Sequence, residues 1–287
     1  MEIIESHISD VGGLPIRRAL PTRQRRAVGA WCFFDHAGPA SLRGKGMNVA
    51  PHPHTGLSTF SWMIEGEILH RDSLGSEQVL RPGQVNLMTA GRGIAHSEES
   101  QSERLHLVQL WIALPDAERF RAPSFEHFPV LPRIAREGFS LTLLTGDLLG
   151  ELSPVPTFTP LLGVDMACLH ATRMELPLQT SFEHGLMVLE GEATVNGQPL
   201  KPGSLLYLEP GTTSLSVTTD APARILLLGG EPWAKPPLLW WNFVGRTREE
   251  IEQFTAEWNG LNGHFDGVEV KGYIGGRLMA PPVPAIR

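Results

Sequence analysis

Apolar and polar positions along the chain change rhythm every few residues. Most apolar stretches alternate with polar residues or run only about four to eight positions before a turn: Thr59 to Ile64, Val85 to Thr89, Leu105 to Ile112, Gly185 to Leu189, Ser204 to Leu208 and Arg224 to Leu228. Short runs of this kind, bounded by glycine and proline, predict β-strands. Helical spacing is clearest from Thr247 to Leu261, where Ile251, Phe254, Trp258 and Leu261 recur on one face. Thr247 and Glu250 there supply a capping box, each side chain satisfying a backbone N–H left free at the other position. A shorter helix is expected over Asp116 to Arg121, behind Pro115.

The pattern also repeats. One copy reads Trp62-Met-Ile-Glu65-Gly66-Glu67, then Arg81-Pro82-Gly83, then Leu87-Met88-Thr89-Ala90-Gly91. The other reads Met187-Val-Leu-Glu190-Gly191-Glu192, then Lys201-Pro202-Gly203, then Tyr207-Leu208-Glu209-Pro210-Gly211. Three turn signals in the same order argue for a structural duplication. Repeated small antiparallel units suit jelly rolls or barrels, which protect strand edges by closing or pairing sheets. The expected fold is therefore all-β, with two such domains and a C-terminal helix. Pro154, Pro156 and Pro160 place the boundary within 150–160, giving domains of residues 1–150 and 151–287.

Composition narrows the class. The 287 residues are 41% hydrophobic and 19% charged, which suits a folded soluble protein rather than a disordered one. Thirty glycines and 24 prolines are spread along the chain, as many turns require. No stretch approaches the roughly 18–20 apolar residues of a spanning helix, and the N-terminus shows no apolar leader core, so a cytoplasmic location without a membrane is expected. The net charge of −7 argues against direct nucleic-acid binding. Arg17, Arg18, Arg23, Arg25 and Arg26 make one short basic cluster, read as solvated surface. The two cysteines, Cys32 and Cys168, are far apart and exclude a thiolate zinc site.

Histidine carries the chemistry. His52-Pro53-His54 puts two imidazoles on one face of a strand, and His96-Ser97-Glu98 repeats that spacing with an imidazole and a carboxylate. Facing each other, these strands would offer four N/O ligands, leaving about two positions of an octahedral ion open. Such a shell suits Fe(II), Mn, Ni, Co or Cu better than a closed structural zinc site. The second copy has Pro177 and Gln179, then Ser216 and Thr218, at the matching offsets and is expected to be free of metal.

These motifs resemble a known family. Gly46, His52-x-His54 and Gly66 resemble the first cupin motif, and Pro82-Gly83 through His96 the second. More specifically the chain resembles the pirins, through Val11-Gly-Gly-Leu-Pro-Ile-Arg-Arg-Ala-Leu-Pro21, Phe34-Asp-His-Ala-Gly-Pro39, His52-Pro-His-Thr-Gly56, Gly66-Glu-Ile-Leu-His-Arg-Asp-Ser-Leu-Gly75 and Met88-Thr-Ala-Gly-Arg-Gly-Ile-Ala-His-Ser-Glu98. The likeness continues through Leu110-Trp111, Gly229-Gly-Glu-Pro232 and Trp241-Asn-Phe-Val-Gly245 into the terminal helix, spanning nearly the whole chain. It implies a bicupin of two jelly-roll β-barrels. It also implies one mononuclear divalent metal, with Fe(II) favoured and Mn, Ni, Co, Cu or Zn as alternatives, on His52, His54, His96 and Glu98. The general cupin motif has a glutamate soon after its HxH. Ser58 and Thr59 stand there in this chain, so the carboxylate falls to Glu98. Thr55 stands where many relatives carry a basic residue.

The activity implied by the resemblance is a quercetin 2,3-dioxygenase-like ring opening of a flavonol by dioxygen, with Glu98 as ligand and base. The alternative is a regulatory protein whose iron redox state alters affinity for a protein partner. Strand parity continued from His52 and His54 turns Ser58, Phe60, Trp62 and Ile64 toward the site. Phe33, Phe34, Asp35 and His36 are expected near its mouth by family likeness, and His70 and Asp72 are candidates to orient a ligand.

Overall fold

The computed structural model of the chain describes residues 1–42 and 46–284. Its strands fall where the short apolar runs predict them, slightly lengthened: Leu57–Glu65, Val85–Thr89, Arg104–Ala113, Glu183–Glu190, Ser204–Leu208 and Ala223–Gly230. The architecture is mostly antiparallel β with two cupin-type domains and a C-terminal helix, as expected.

The chain groups into two compact units that are interleaved in sequence. One comprises Met1–Ser9, Arg17–His36 and Val130–Ala234; the other comprises Asp10–Ile16, Ala37–Pro129 and residues from Lys235 onward. This division differs from a single cut after residue 150. The segment 130–149 groups with the later unit, and so does the N-terminal strand Glu2–Glu5, which pairs antiparallel with Ser204–Leu208. The terminal helix groups with the histidine-bearing unit.

In the unit containing Val130–Ala234, a seven-stranded sheet runs in the order Glu2–Glu5, Ser204–Leu208, Glu183–Glu190, Ala223–Gly230, Leu161–Cys168, Phe139–Thr145 and Arg133–Arg136. A four-stranded sheet of Thr172–Pro177, Ser214–Thr219, Ala193–Val195 and Gln198–Leu200 accompanies it. Leu186, Val188, Leu206 and Leu208 from the first share one buried core with Met174, Leu176, Leu215 and Val217 from the second. These core residues recur at every second position along the middle of their strands, which is how a period of two closes a core between sheets.

The histidine-bearing unit has a four-stranded sheet in the order Asn48–His54, Ile94–Ser100, Ile68–Asp72, Glu77–Leu80. Ser124–Phe128, Val85–Thr89, Leu57–Glu65 and Arg104–Ala113 lie side by side, in that order, in the other sheet. Met63, Leu105 and Leu107 from the latter meet Ile68 and Leu80 from the former in one core. Gly66 closes the strand Leu57–Glu65 at φ +89°, and a Cβ there would stand 2.0 Å from the Arg104 carbonyl oxygen, so only glycine fits the turn.

The helix spans Arg248–Gly260, with Ile251, Phe254 and Trp258 buried against Phe243, Phe265 and Ala95. Thr247 caps it by accepting from the Glu250 N–H. The Glu250 carboxylate reaches back to the Arg246 N–H at 2.7 Å and takes a two-pronged ion pair from Arg119. The helix expected over Asp116 to Arg121 is instead a run of turns. Both Glu118 and Arg119 donate to the Pro115 carbonyl, closing one turn that the chain does not continue.

Candidate metal centre

The site is assembled by strand pairing. His96 lies opposite His52 across one edge of its strand and opposite Asp72 across the other, while Glu98 lies opposite His70. Directly paired residues in adjacent strands share a face, so His52, His54, His96, Glu98, His70 and Asp72 all project to one side of the four-stranded sheet. Gly56, at φ +70°, lies with Thr55 in the break between the strands Asn48–His54 and Leu57–Glu65. A Cβ there would meet the Val244 carbonyl oxygen at 2.2 Å, so the chain beside His54 runs close against the C-terminal segment. The Thr55 carbonyl accepts from the Val244 N–H, and the Pro51 carbonyl from the Leu278 N–H.

Ligand nitrogens of His52, His54 and His96 converge within 4.8 Å of one another, and all three residues are buried. The His54 and His96 Nε2 atoms stand 3.1 Å apart. Two metal–nitrogen bonds of about 2.1 Å at a right angle would separate their nitrogens by about 3 Å, so this spacing fits a shared ion. His52 directs Nδ1 at the Ala50 carbonyl at 2.9 Å, leaving Nε2 as its free ligand atom. Burial pushes His52 down to about 4 and holds His54 and His96 well below the usual imidazole range, with neighbouring imidazoles adding to the effect. All three rings are consequently neutral near pH 7, the state that binds a metal.

Glu98 is buried on the same face, but its carboxylate lies outside that 4.8 Å group. The pairing with the strand Asn48–His54 slips by a bulge between His96 and Glu98. Burial raises its carboxyl above the ordinary range, opposed by the neighbouring His70. Among the described residues no hydrogen bond or ion pair engages the Glu98 side chain.

Around the cluster, Trp111 packs its ring against His54, with centroids 5.0 Å apart at 77°. Trp111 is paired with Thr59, and Leu110 with Phe60. Thr59, Ser61 and Met63 therefore share the face of Trp111, and alternation turns Ser58, Phe60 and Trp62 to the other face, while Ile64 falls at the register shift opposite His106 and Leu107. This corrects the parity reading, which the break at Thr55–Gly56 interrupts. Ser58 bonds Thr89 across the strands at 3.0 Å, and Phe60 and Trp62 are buried. Phe33, Phe34, Asp35 and His36 lie in the other compact unit, all buried on the strand Trp31–Ser41. There Asp35 takes both prongs of Arg18 at 2.8 and 2.7 Å, while the guanidinium lies over the Phe33 ring. Trp111 was hidden from spacing because its contact crosses from one sheet to the other.

Two cupin-type units, with imidazoles clustered in one of them, define a two-cupin protein with a single candidate metal centre among the described residues. A family model described as Pirin matches residues 13–112, and a second described as the Pirin C-terminal cupin domain matches residues 163–266. The chain is 50% identical over 276 residues to a Pseudomonas aeruginosa protein named "Putative quercetin 2,3-dioxygenase", covering 95% of this chain and 87% of that one. A crystal structure of quercetin 2,3-dioxygenase from Acinetobacter baumannii matches with a TM-score of 0.96 at 45% identity, over 100% of this chain and 97% of that chain. The fold is also similar to that of an Escherichia coli pirin solved with nickel(II), with a TM-score of 0.64 and 21% identity over 81% and 99% of the two chains. The chain belongs to the pirin family. No helix among the described residues is long and apolar enough to cross a membrane.

Proposed function

We propose that this chain is a metal-dependent dioxygenase that opens a flavonol such as quercetin with dioxygen, its metal held by His52, His54, His96 and Glu98. The observation that carries the reading is the convergence of three buried, neutral imidazoles within 4.8 Å. The donor set is nitrogen and oxygen without thiolate, which Fe(II), Mn, Ni, Co, Cu or Zn can use, and the likeness to the pirins favours Fe(II) among them. When bound, such an ion supplies Lewis acidity toward a phenolic oxygen and a route for electrons to dioxygen.

The chain's own residues supply the rest. Glu98, buried and with no side-chain hydrogen bond among the described residues, would accept the proton of the flavonol hydroxyl. Trp111, edge-on to His54, gives the site an aromatic flank suited to a planar ring. His52 is held toward the cluster by the Ala50 carbonyl, so its lone pair needs no reorientation. Support for the substrate class comes from the relatives' names together with this geometry.

The test is oxygen-electrode turnover of quercetin by iron-loaded protein, with Glu98→Gln beside it. Dioxygen uptake with bleaching of quercetin, lost in the variant, is the expected result. If the loaded protein neither takes up dioxygen nor bleaches quercetin while an established quercetinase does so in the same buffer, the dioxygenase reading fails. A metal-dependent interaction with a protein partner then becomes the better account.

A further inference from the structure

We infer that His70 and Asp72 are positioning residues that fix which nitrogen of His96 is free to bind the metal. This rests on the metal reading above. Asp72 is buried at the end of the strand Ile68–Asp72, and its Oδ1 accepts from the N–H groups of Leu74 and Ser76 in the following turn at 2.9 and 3.0 Å. Its Oδ2 faces His70 Nε2 at 3.0 Å. The other nitrogen of that ring, Nδ1, faces His96 Nδ1 at 3.3 Å. The His70 ring is held flat against Phe125, with centroids 4.4 Å apart at 16°.

Proton bookkeeping along this line has one consistent solution for neutral rings. A carboxylate can only accept, so His70 carries its proton on Nε2. His70 Nδ1 is then a bare lone pair and can only accept in turn. His96 must therefore carry its proton on Nδ1, which leaves Nε2 bare, and Nε2 is the atom 3.1 Å from His54 Nε2. The two turn N–H groups held by Oδ1 favour the ionised carboxylate, so Asp72 remains an acceptor. Asp72 thus acts on His96 through His70, and on the metal only through His96.

The decisive variant reverses the line without emptying it. In Asp72→Asn the side-chain oxygen can keep the two turn N–H groups, and the amide NH2 then faces His70 Nε2 as a donor. His70 must move its proton to Nδ1, opposing the proton on His96 Nδ1. His96 can relieve that clash by shifting its proton to Nε2, which removes the ligand lone pair. His70→Gln is the control that keeps the direction, because its oxygen can accept from His96 while its amide donates to Asp72. His70→Leu removes the acceptor.

The experiment is calorimetric titration of metal-free protein with Co(II) alone, read together with the visible absorption of the bound ion and the melting temperature of each metal-free variant. Expected is a loss of roughly 10–100-fold in Co(II) affinity for Asp72→Asn and His70→Leu, the range usual for removing a partner of a ligating imidazole. His70→Gln should stay within about threefold of the parent, since it keeps both hydrogen bonds in the same sense. Equal affinity in parent and Asp72→Asn overturns the inference, as does an equal loss in His70→Gln and His70→Leu, which would mean that packing rather than direction matters. Should Asp72→Asn fail to fold, the Gln and Leu pair decides by itself. If the parent binds no Co(II), it is the metal reading that fails.

Discussion

His184 gives a sharp test of how burial acts in the unit without the histidine cluster. It sits on the strand Glu183–Glu190, in step with Leu186 and Val188, and is 0% exposed. Neither ring nitrogen has a hydrogen-bond partner among the described residues. Burial lowers it to about 4, against about 6.5 in an unfolded chain. Because the folded value is depressed, the unfolded chain binds the proton first as pH falls. The contribution of the neutral ring is therefore intact above about pH 6.5 and is lost progressively between there and pH 4. A gap of about 2.5 units corresponds to about 3 kcal/mol in full, of which about 2 kcal/mol is lost between pH 7.5 and pH 5.0. His184→Leu removes the titrating group and leaves no polar atom unpaired, so near pH 7.5 the variant should match or exceed the parent. Urea unfolding of both proteins, metal-free, at pH 7.5 and 5.0 gives the comparison. The parent should lose about 2 kcal/mol more than the variant over that interval. An identical pH dependence in the two proteins would refute the reasoning.

Three further outcomes follow from packing. Trp111→Ala empties a buried ring from beside His54 and should cost about 3–5 kcal/mol in unfolding free energy, with weakened retention of metal in a dialysis assay. Gly56→Ala forces a Cβ to within 2.2 Å of the Val244 carbonyl oxygen at a left-handed φ, and should lower the melting temperature of metal-free protein by several degrees, more than Gly75→Ala, where none of the described residues stands within 4 Å. Thr247→Ala removes the cap accepting from Glu250 and should cost about 1 kcal/mol, with hydrogen exchange faster in the first turn of the helix and little changed at the histidine strands.

The strands and the helix were legible in the sequence because their signals are local: a period of two cut by glycine turns such as Gly66 and Gly191, and a cap at Thr247. The imidazole set was legible for the same reason. His52 and His54 share a face through spacing alone, and His96 needed only one strand pairing to reach them. What spacing could not carry was anything passing through a break or between distant segments. The bend at Thr55–Gly56 resets the alternation, so Ser58, Phe60 and Trp62 face away from the side that Trp111 occupies. Glu2–Glu5 finds Ser204–Leu208 some two hundred positions later, which no local pattern encodes. Asp116 to Arg121 has a proline start and good helix formers, yet the Arg121 carbonyl is taken by the Arg92 N–H, and the chain turns away after one loop.

The most direct test of the account is the metal-to-protein ratio. Elemental analysis of protein purified without added metal, then reloaded with Fe(II) and freed of excess, should give close to one ion per chain for the parent and for His184→Leu. It should give close to none for His52→Ala combined with His54→Ala. Metal retained by that double variant, or absent from the loaded parent, would contradict the assignment of the centre to His52, His54 and His96.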